Sequence, residues 1–553
     1  MILRRTQSLC PICLRRIEAV YERPETAGTE KGVFLRKTCP EHGVFSVPAW
    51  VALEPVDAQG VVPGVVNAPP FESWSRPKSP SYPEEPRTAV ARGCPFDCGL
   101  CPLHAQHTCT GLVEVTMRCD LACPVCYAGA GRTEGTLPPD PPLAALAAQL
   151  DSLKTASGAC NVQISGGEPT IREDLPAIVT LARERGFGLV QLNTNGLRLG
   201  RDAGYAARLR AAGLDSVYLQ WDGVREAVFE TMRGRACLNL KRLAVEACAA
   251  VGLGVVLVAP LARHVNDGEV GDLLRLALAL GPAVRGVHFQ PVSSFGRYPW
   301  ALSNAPRLTL PEVMAALVRQ APELVRMEHF HPPGCEHALC SFSAAYRRTG
   351  VEGAELEWLP QAGQSCCSPV PPLAAEGARK ARQFVALHWK GAERIPAADT
   401  PGGARFPDLA DDFSRFLNRA GAERRFTVSA MAFQDAYSLD LERVRGCCIH
   451  VVQADGRLVP FCLHNLTARD GTRLYSGASS PHGPLAGPGL RRGKHGGASD
   501  TAARGADRSP EPYSAPCRAA QRLLRPASGR LRSGDARTRG SGPSAVHYSR
   551  PSA

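Results

Sequence analysis

The chain has 553 residues, 44% of them hydrophobic, so it is long enough for two or three domains with buried cores. Its formal net charge is +12, but residues 476–553 hold 13 Lys or Arg against 4 Asp or Glu, and the remainder is close to neutral. A basic surface for nucleic acid is therefore not expected on the folded part of the chain.

The first residues, "MILRRTQSLCPIC", contain no apolar run of the kind that forms a signal peptide. The longest apolar stretch, residues 247–262, contains Pro260 and is shorter than a transmembrane helix. We therefore expect a cytoplasmic protein without a transmembrane segment. Because the cytoplasm keeps thiols reduced, the 21 cysteines are expected to be metal ligands rather than disulphides.

Residues 1–60 are predicted to form a small metal-binding knuckle of the zinc-ribbon or rubredoxin-like kind. "CPIC" supplies Cys10 and Cys13, and "CPEHG" supplies Cys39 and His42. This C-x2-C…C-x2-H spacing is typical of one metal ion that stabilises a segment too small to fold alone. Three sulphur ligands and one nitrogen favour zinc, whereas a rubredoxin-like iron site prefers four thiolates. The mononuclear metal is thus zinc or iron, and unligated cysteines are the alternative.

A proline-rich linker over residues 61–92 is followed by an auxiliary iron–sulphur segment over residues 93–110. The segment begins with a C-x3-C-x2-C pattern and adds a fourth thiol, so its candidate ligands are Cys94, Cys98, Cys101 and Cys109. Four thiolates close an iron–sulphur cluster, which predicts an auxiliary [4Fe–4S] site. A zinc site made by the same four cysteines is the alternative.

Residues 111–300 alternate apolar, β-branched runs with helical stretches. The strand-like runs are "LVEVTM", "CNVQIS", "GLVQLN", "SVYLQW", "GVVLVA" and "VRGVHFQ". Six strands separated by helices predict an α/β fold with parallel pairing, namely a partial (β/α)6 TIM-like barrel. The reactive groups of such a sheet gather at the carboxyl ends of its strands.

A second C-x3-C-x2-C triad directly follows the first of these strands. It consists of Cys119, Cys123 and Cys126, and no further cysteine occurs before Cys160. Three thiolates bind three irons of a cube and leave the fourth iron open to a small molecule. A zinc knuckle or buried thiols are the alternative for this triad.

The segment "MRCDLACPVCYA", with "ISGGEPT" at the end of the next strand, resembles the radical S-adenosylmethionine (SAM) superfamily. The resemblance implies that the open iron holds SAM and that one-electron cleavage gives a 5′-deoxyadenosyl radical. It also implies that Gly166, Gly167 and Glu168 contact the methionyl part of SAM. Asn195 and Asp222, at later strand ends, would contact ribose or adenine, although both residue types also occur in ordinary turns.

Residues 301–475 are less regular and predict a C-terminal α+β domain for substrate or an auxiliary cluster. A second auxiliary cluster could be formed by Cys335, Cys340, Cys447 and Cys462, with the choice between Cys447 and Cys448 left open. Residues 476–553 are predicted to be a disordered basic tail, because 58 of these 78 residues are Arg, Gly, Ala, Ser or Pro. Cys366, Cys367 and Cys517 receive no assignment.

A longer series of motifs resembles a narrower family, the tetraether lipid synthases and the related pterin-methylating radical SAM proteins. The motifs are "CPIC…CPEHG", "GCPFDCGLCPLHAQHTC", "EVTMRCDLACPVCYA", "QISGGEPT", "YLQWDG", "HFQPVSSFGRYP" and "LVPFCLHNLT". The resemblance implies three [4Fe–4S] clusters, one of them binding SAM, together with a mononuclear metal and functionalisation of an unactivated C–H bond.

This resemblance favours carbon–carbon coupling of lipid chains, with C-methylation of a pterin or modification of a peptide as the alternative. A non-catalytic iron–sulphur or zinc electron-transfer protein is a different class. The expected partners are a small-molecule or lipid substrate and an electron donor such as flavodoxin or ferredoxin. A long apolar tunnel would favour lipid, a short polar pocket pterin, and an open groove peptide.

Overall fold

The computed structural model describes residues 1–24, 32–51, 69–74, 78–131, 137–158, 160–300, 307–360, 373–391 and 425–475. The predicted tail at 476–553 lies outside these residues, as do Cys366, Cys367, Cys517 and most of the first half of the predicted linker. Within the described residues, no helix is both long enough and apolar enough to cross a bilayer.

The N-terminal region is a four-stranded antiparallel sheet in chain order. Its strands are β1 (Ile2–Leu9), β2 (Arg16–Glu22), β3 (Gly32–Cys39) and β4 (Gly43–Val51). Alternate residues of β3 are buried, as the two-residue period of a strand requires. The helix α1 (Phe71–Trp74) covers this face with its two aromatic rings. The sheet places two cysteines just after β1 and the other two ligand candidates around the turn from β3 to β4.

The six predicted βα units are present, and their strands pair in parallel and in chain order. The strands are β5 (Thr110–Glu114), β6 (Asn161–Ser165), β7 (Leu189–Thr194), β8 (Ser216–Gln220), β9 (Gly254–Leu261) and β10 (Val284–Pro291). The helices are α2 (Leu143–Ser157), α3 (Leu175–Glu184), α4 (Leu197–Arg201), α5 (Tyr205–Ala211), α6 (Glu226–Arg233), α7 (Leu238–Ala250), α8 (Val270–Ala279) and α9 (Leu310–Gln320). The partial TIM-like barrel is therefore confirmed.

The strands of the C-terminal region join this same sheet at both edges, which the sequence did not predict. They are β11 (Ser341–Thr349), β12 (Glu355–Trp358), β13 (Arg425–Met431), β14 (Ile449–Val452) and β15 (Leu458–Pro460). β13 pairs in parallel with β10, and β14 pairs in parallel with β5, giving a sheet of eleven strands. The remaining helices are α10 (Ala374–Trp389), α11 (Leu441–Arg445) and α12 (Phe461–His464).

The N-terminal sheet is attached to the C-terminal region through the buried carboxylate of Asp440. This group accepts hydrogen bonds from Arg4 Nη2 at 2.7 Å, Thr6 Oγ1 at 2.5 Å and Tyr21 OH at 2.8 Å. It also caps α11 by accepting from the backbone N–H of Glu442. Burial alone would raise the pKa of Asp440, but Arg4 and Thr6 outweigh it and hold the pKa below its usual range.

Candidate functional site

One large cavity, of about 1550 Å³, extends along the inside of the barrel. Its lining includes Thr110 and Asn161 at the amino ends of β5 and β6, and Asn195 and Gln220 at the carboxyl ends of β7 and β8. Small-molecule sites usually occupy about 300–1,000 Å³, so this space exceeds the need of one ligand. Cysteines that the sequence predicts as metal ligands line both ends of this cavity.

The triad of Cys119, Cys123 and Cys126 lies at the carboxyl-end mouth of the cavity, beyond β5. Burial raises the pKa of Cys119 to about 12, so a bound metal would have to displace the thiol proton. Among the described residues, two groups of ligand atoms lie within 4.8 Å of one another, and this triad is neither of them. Sulphurs on one tetrahedral zinc would be about 3.8 Å apart, so the triad is not arranged as ligands of a single zinc ion.

Two arginines hold the loop that carries this triad. Arg297, after β10, donates to the carbonyl of Cys123 at 2.7 Å and exchanges backbone hydrogen bonds with Cys126. Arg233, at the end of α6, donates to the carbonyl of Val125 at 3.0 Å and lies within hydrogen-bonding reach of the Cys123 thiol. Neither arginine was predicted from the sequence. The only signal for Arg297 was its place in the motif "HFQPVSSFGRYP", which gives no role.

The glycine turn after β6 packs against the backbone that leads to the triad. Gly167 N donates to Thr116 O at 2.7 Å, and Glu168 N donates to Arg118 O at 2.9 Å. A Cβ atom on Gly166 or Gly167 would overlap one of these two carbonyl oxygens. The glycines therefore let the two loops approach each other, and of the pair only Gly167 is among the cavity-lining residues.

The carboxylate of Glu168 is fully buried and ties together the ends of β6 and β7. Its Oε1 accepts from Thr170 N, Thr170 Oγ1 and Thr194 Oγ1, while Oε2 accepts from Asn195 N at 2.7 Å. Burial raises the pKa of Glu168. Oε2 accepts only one hydrogen bond from the protein and Glu168 lines the cavity, so Oε2 is the oxygen that remains open to a donor on a ligand.

Asn195 and Asp222, which the sequence paired as nucleoside contacts, lie in different environments. Asn195 lines the cavity and donates from Nδ2 to Asp120 Oδ1 at 2.7 Å. Asp222 is not among the cavity-lining residues, and its buried carboxylate accepts from Arg233 Nε at 3.0 Å. Asp222 therefore orients Arg233 and does not face the cavity. The sequence alone could not reveal this ion pair, because tertiary packing brings the two residues together.

The predicted set Cys94, Cys98, Cys101 and Cys109 is divided. The first three lie together beside the N-terminal sheet, where a hydrogen bond with Cys98 lowers the pKa of Cys94. Cys109 precedes β5 and donates its backbone N–H to Cys448 O at 2.8 Å. Its sulphur lies within 4.8 Å of the sulphurs of Cys335 and Cys448.

The second predicted set is divided as well. Cys335 joins Cys109, and their Cα atoms are 7.8 Å apart, which is beyond the range of an unstrained disulphide and suits a shared metal group. The two adjacent cysteines lie in different groups: Cys448 lies with Cys109 and Cys335, and Cys447 lies near Cys340 and Cys462. The Glu336 carboxylate lies 3.8 Å from the Cys448 sulphur, between these two groups.

The four ligand candidates of the N-terminal knuckle meet as the spacing predicted. All four ligand atoms lie within 4.8 Å of one another. His42 Nδ1 is 3.6 Å from the sulphur of Cys10 and 3.4 Å from that of Cys39, and the sulphurs of Cys13 and Cys39 are 4.0 Å apart. These spacings fit one tetrahedral ion with three sulphur ligands and one nitrogen, which is a donor set for zinc.

Known protein families match both the N-terminal sheet and the barrel of this chain. The HMPTM N-terminal zinc ribbon domain matches residues 2–51, and the radical SAM superfamily matches residues 113–277. The 7,8-dihydro-6-hydroxymethylpterin dimethyltransferase of Methanocaldococcus jannaschii is 33% identical over 507 residues, covering 84% of this chain and 94% of that enzyme. The chain belongs to the same radical SAM family as that enzyme.

Other matches to this radical SAM chain are shorter. The mitochondrial GTP 3′,8-cyclase of Arabidopsis thaliana is 29% identical and covers 40% of this chain and 54% of the cyclase. Among solved structures, the FeFe-hydrogenase maturase HydG of Carboxydothermus hydrogenoformans gives a TM-score of 0.31 at 16% identity, covering 39% of this chain and 52% of that one.

Family membership establishes the coarse function. The chain is a radical SAM enzyme that uses a [4Fe–4S] cluster and SAM, and it carries a zinc ribbon. Its further cysteine groups fit auxiliary clusters. The expectation of a radical SAM enzyme is confirmed, whereas coupling of lipid chains is not shown by any of these comparisons.

Proposed function

We propose that this radical SAM enzyme methylates a carbon atom of a reduced pterin. The observation that carries the proposal is the chemistry of the barrel interior, where Gln163, Gln191 and Asn193 line the cavity between its two ends. These amides bond one another and neighbouring hydroxyls. A lipid chain could not pair the donor and acceptor positions that remain, which is costly, whereas a pterin offers them hydrogen-bonding groups. The full-length similarity to a pterin dimethyltransferase supports the same choice over lipid coupling.

The proposed SAM end of the site consists of the second triad and the turns beside it. Cys119, Cys123 and Cys126 would hold the SAM-binding cluster, which when bound supplies the electron that splits SAM. Glu168 would accept a hydrogen bond from the SAM ammonium through the free position of Oε2. Asn195 is placed to contact the nucleoside, and Gly166 and Gly167 set the position of this turn.

The other cysteine groups are proposed as auxiliary sites with ligand sets that differ from the sequence prediction. One site would use Cys94, Cys98 and Cys101. A second would use Cys109, Cys335 and Cys448, of which Cys109 and Cys448 line the cavity at the end away from the triad. The neighbouring thiols Cys340, Cys447 and Cys462 are candidates to complete it.

The proposed electron donor is a low-potential protein such as flavodoxin or ferredoxin. The proposed location is the cytoplasm. An oxidising compartment would oxidise free thiols in such number, so a reducing one suits them. The ligand would be a small molecule, since the cavity is lined by the inside of the barrel.

The test is expression of the full chain in an anaerobic bacterial host, which supplies reductant and methyl donors, followed by mass spectrometry of extracted pterins. We expect pterins with one or two added methyl groups, and none with the Cys119→Ala variant. Cys248→Ala is the matched control, because Cys248 is a thiol of α7 that belongs to none of the ligand groups named above. A chain that cleaves SAM to 5′-deoxyadenosine after reconstitution but never yields methylated pterin would contradict the proposal.

A further inference from the structure

The inside of the barrel contains an unusual layer of amides. Branched aliphatic side chains normally fill the interior of a (β/α) barrel. Here Asn161 and Gln163 lie two residues apart on β6, so both point to the cavity, and Gln191 lies opposite Gln163 on β7. We call Asn161, Gln163 and Gln191 the amide layer.

The amide layer is only partly satisfied by the protein. Gln163 Nε2 donates to Gln191 Oε1 at 2.9 Å, and Gln191 Nε2 donates to Ser216 Oγ at 3.2 Å. Asn161 is 3% exposed, yet its Nδ2 has no hydrogen-bond partner within the described residues. A buried N–H group without a partner is destabilising, so a ligand that accepts from Asn161 removes that cost.

A second polar layer lies between the amide layer and the SAM triad. Asn193 Nδ2 donates to Ser165 Oγ at 3.1 Å and to Tyr127 OH at 3.3 Å. Tyr127 directly follows Cys126 and lines the cavity. A ligand on the amide layer therefore reaches the SAM end past polar groups.

We propose that the amide layer is the specificity-determining surface that binds the amino–oxo pyrimidine edge of the substrate. This inference rests on the proposed pterin function and assigns the orientation of the ring within it. A carboxamide presents one acceptor and two donors in a plane, which matches the alternating donors and acceptors of that edge. A rotation of the Asn161 side chain would bring its buried Nδ2 to the cavity, where it would donate to the ring oxygen or a ring nitrogen.

The length of the strands supports this orientation. Gln191 and Thr194 are three residues apart on β7, which is about 10 Å at ~3.3 Å per residue. A bicyclic ring with a hydroxymethyl group spans a similar length. With its pyrimidine edge on the amide layer, the ring presents its opposite edge at the strand ends, beside the SAM triad, where a C–H bond would react.

A simpler explanation is that the amides only satisfy one another inside the barrel. That explanation accounts for the Gln163–Gln191–Ser216 chain but leaves Asn161 Nδ2 unexplained. It also predicts that replacing the amides by apolar side chains of the same size leaves ligand affinity unchanged. The two explanations therefore differ in a measurable result.

The experiment uses the anaerobically reconstituted full chain and measures binding of 7,8-dihydro-6-hydroxymethylpterin by fluorescence quenching. Asn161→Leu and Gln191→Met keep side-chain volume and remove the amide. We expect each to raise the pterin Kd at least tenfold, while the SAM Kd and the iron content keep wild-type values. Gln383→Met is the matched control, because Gln383 is an exposed glutamine of α10 outside the cavity.

Binding of a second ligand distinguishes loss of recognition from misfolding of a variant. An analogue in which oxygen replaces the pterin amino group should bind the wild type at least tenfold more weakly than the pterin, and Gln191→Met should bind both alike. Wild-type affinity in both variants, or undiminished discrimination in Gln191→Met, would overturn the inference alone. Failure of the wild type to bind any pterin would overturn the proposed function and this inference with it.

Discussion

Cys109 and Cys119 lie at opposite ends of one strand. Cys109 immediately precedes β5, and Cys119 follows its carboxyl end, so a strand that spans about 17 Å separates two cysteine groups that open onto the same cavity. The backbone hydrogen bond from Cys109 to Cys448, which precedes the neighbouring β14, brings a distant thiol to the same end. The barrel therefore has a SAM end and an opposite end with its own thiol group.

Removal of a thiol at the opposite end is expected to remove one auxiliary metal group. Cys109→Ala and Cys448→Ala should each lose up to about four irons per chain after reconstitution, with the spectrum of the SAM-bound cluster preserved. The control is Cys160→Ala, which removes another buried thiol at this end that belongs to neither close ligand group. Iron and sulphide analysis checks the result, and unchanged iron in Cys448→Ala would contradict this ligand set.

Asp440 is expected to make the main stabilising contact between the zinc ribbon and the C-terminal region. Asp440→Asn leaves Arg4 without its buried partner and should lower the free energy of opening of β1 and β2 by about 2–3 kcal/mol. Hydrogen exchange of the β1 and β2 amides measures this. Glu442→Gln is the control, because Glu442 is exposed and 3.7 Å from Arg4, so a change below about 1 kcal/mol is expected. Equal effects of the two variants would refute the assignment.

The Asp440 carboxylate also makes the attachment of the N-terminal sheet depend on pH. Because the pKa of Asp440 is lower in the folded chain than in the unfolded one, its contribution is fully present above the unfolded value of about 3.9. It is lost as pH falls below that value through the folded pKa. Protection factors of the β1 amides, which correct for the intrinsic pH dependence of exchange, should therefore fall in the wild type as the pH is lowered below about 4, and fall less in Asp440→Asn.

The strand pattern and the knuckle could be read from the sequence because their determinants are local. β9 is buried along nearly its whole length and appears as the continuous run "GVVLVA". The knuckle ligands lie at two short turns, between β1 and β2 and between β3 and β4, and each turn supplies a closely spaced pair. The regrouping of Cys109 with Cys335 and Cys448 could not be read, because it depends on β14 joining the edge of the barrel sheet. For the same reason Asp222 looked like a nucleoside contact, since its partner Arg233 is brought to it by α6.

The ion pair of Arg233 and Asp222 is expected to position the loop of the SAM-binding triad. Arg233→Lys keeps the charge but cannot reach both the carboxylate and the carbonyl of Val125, so the SAM Kd should rise about tenfold. Asp222→Asn should act through the same contact, and the double variant should cost less than the sum of the single effects. Arg225→Lys is the control on the solvent side of the same region, because that side chain is 65% exposed. Additive effects of the two single variants would show that the residues act separately.

The ligand set of the ribbon predicts how its metal preference can be changed. His42 is the one nitrogen donor beside three thiols, so His42→Cys should retain a single metal ion and shift the site from zinc towards iron. Absorption of an iron–thiolate centre and metal analysis of the purified chain measure the shift. Cys39→Ala, which leaves three ligands, should release the metal and increase hydrogen exchange throughout β1–β3, because the ion stabilises a sheet with little core of its own. A His42→Cys chain that binds no metal would show that the geometry of this turn, rather than the identity of its donors, determines binding.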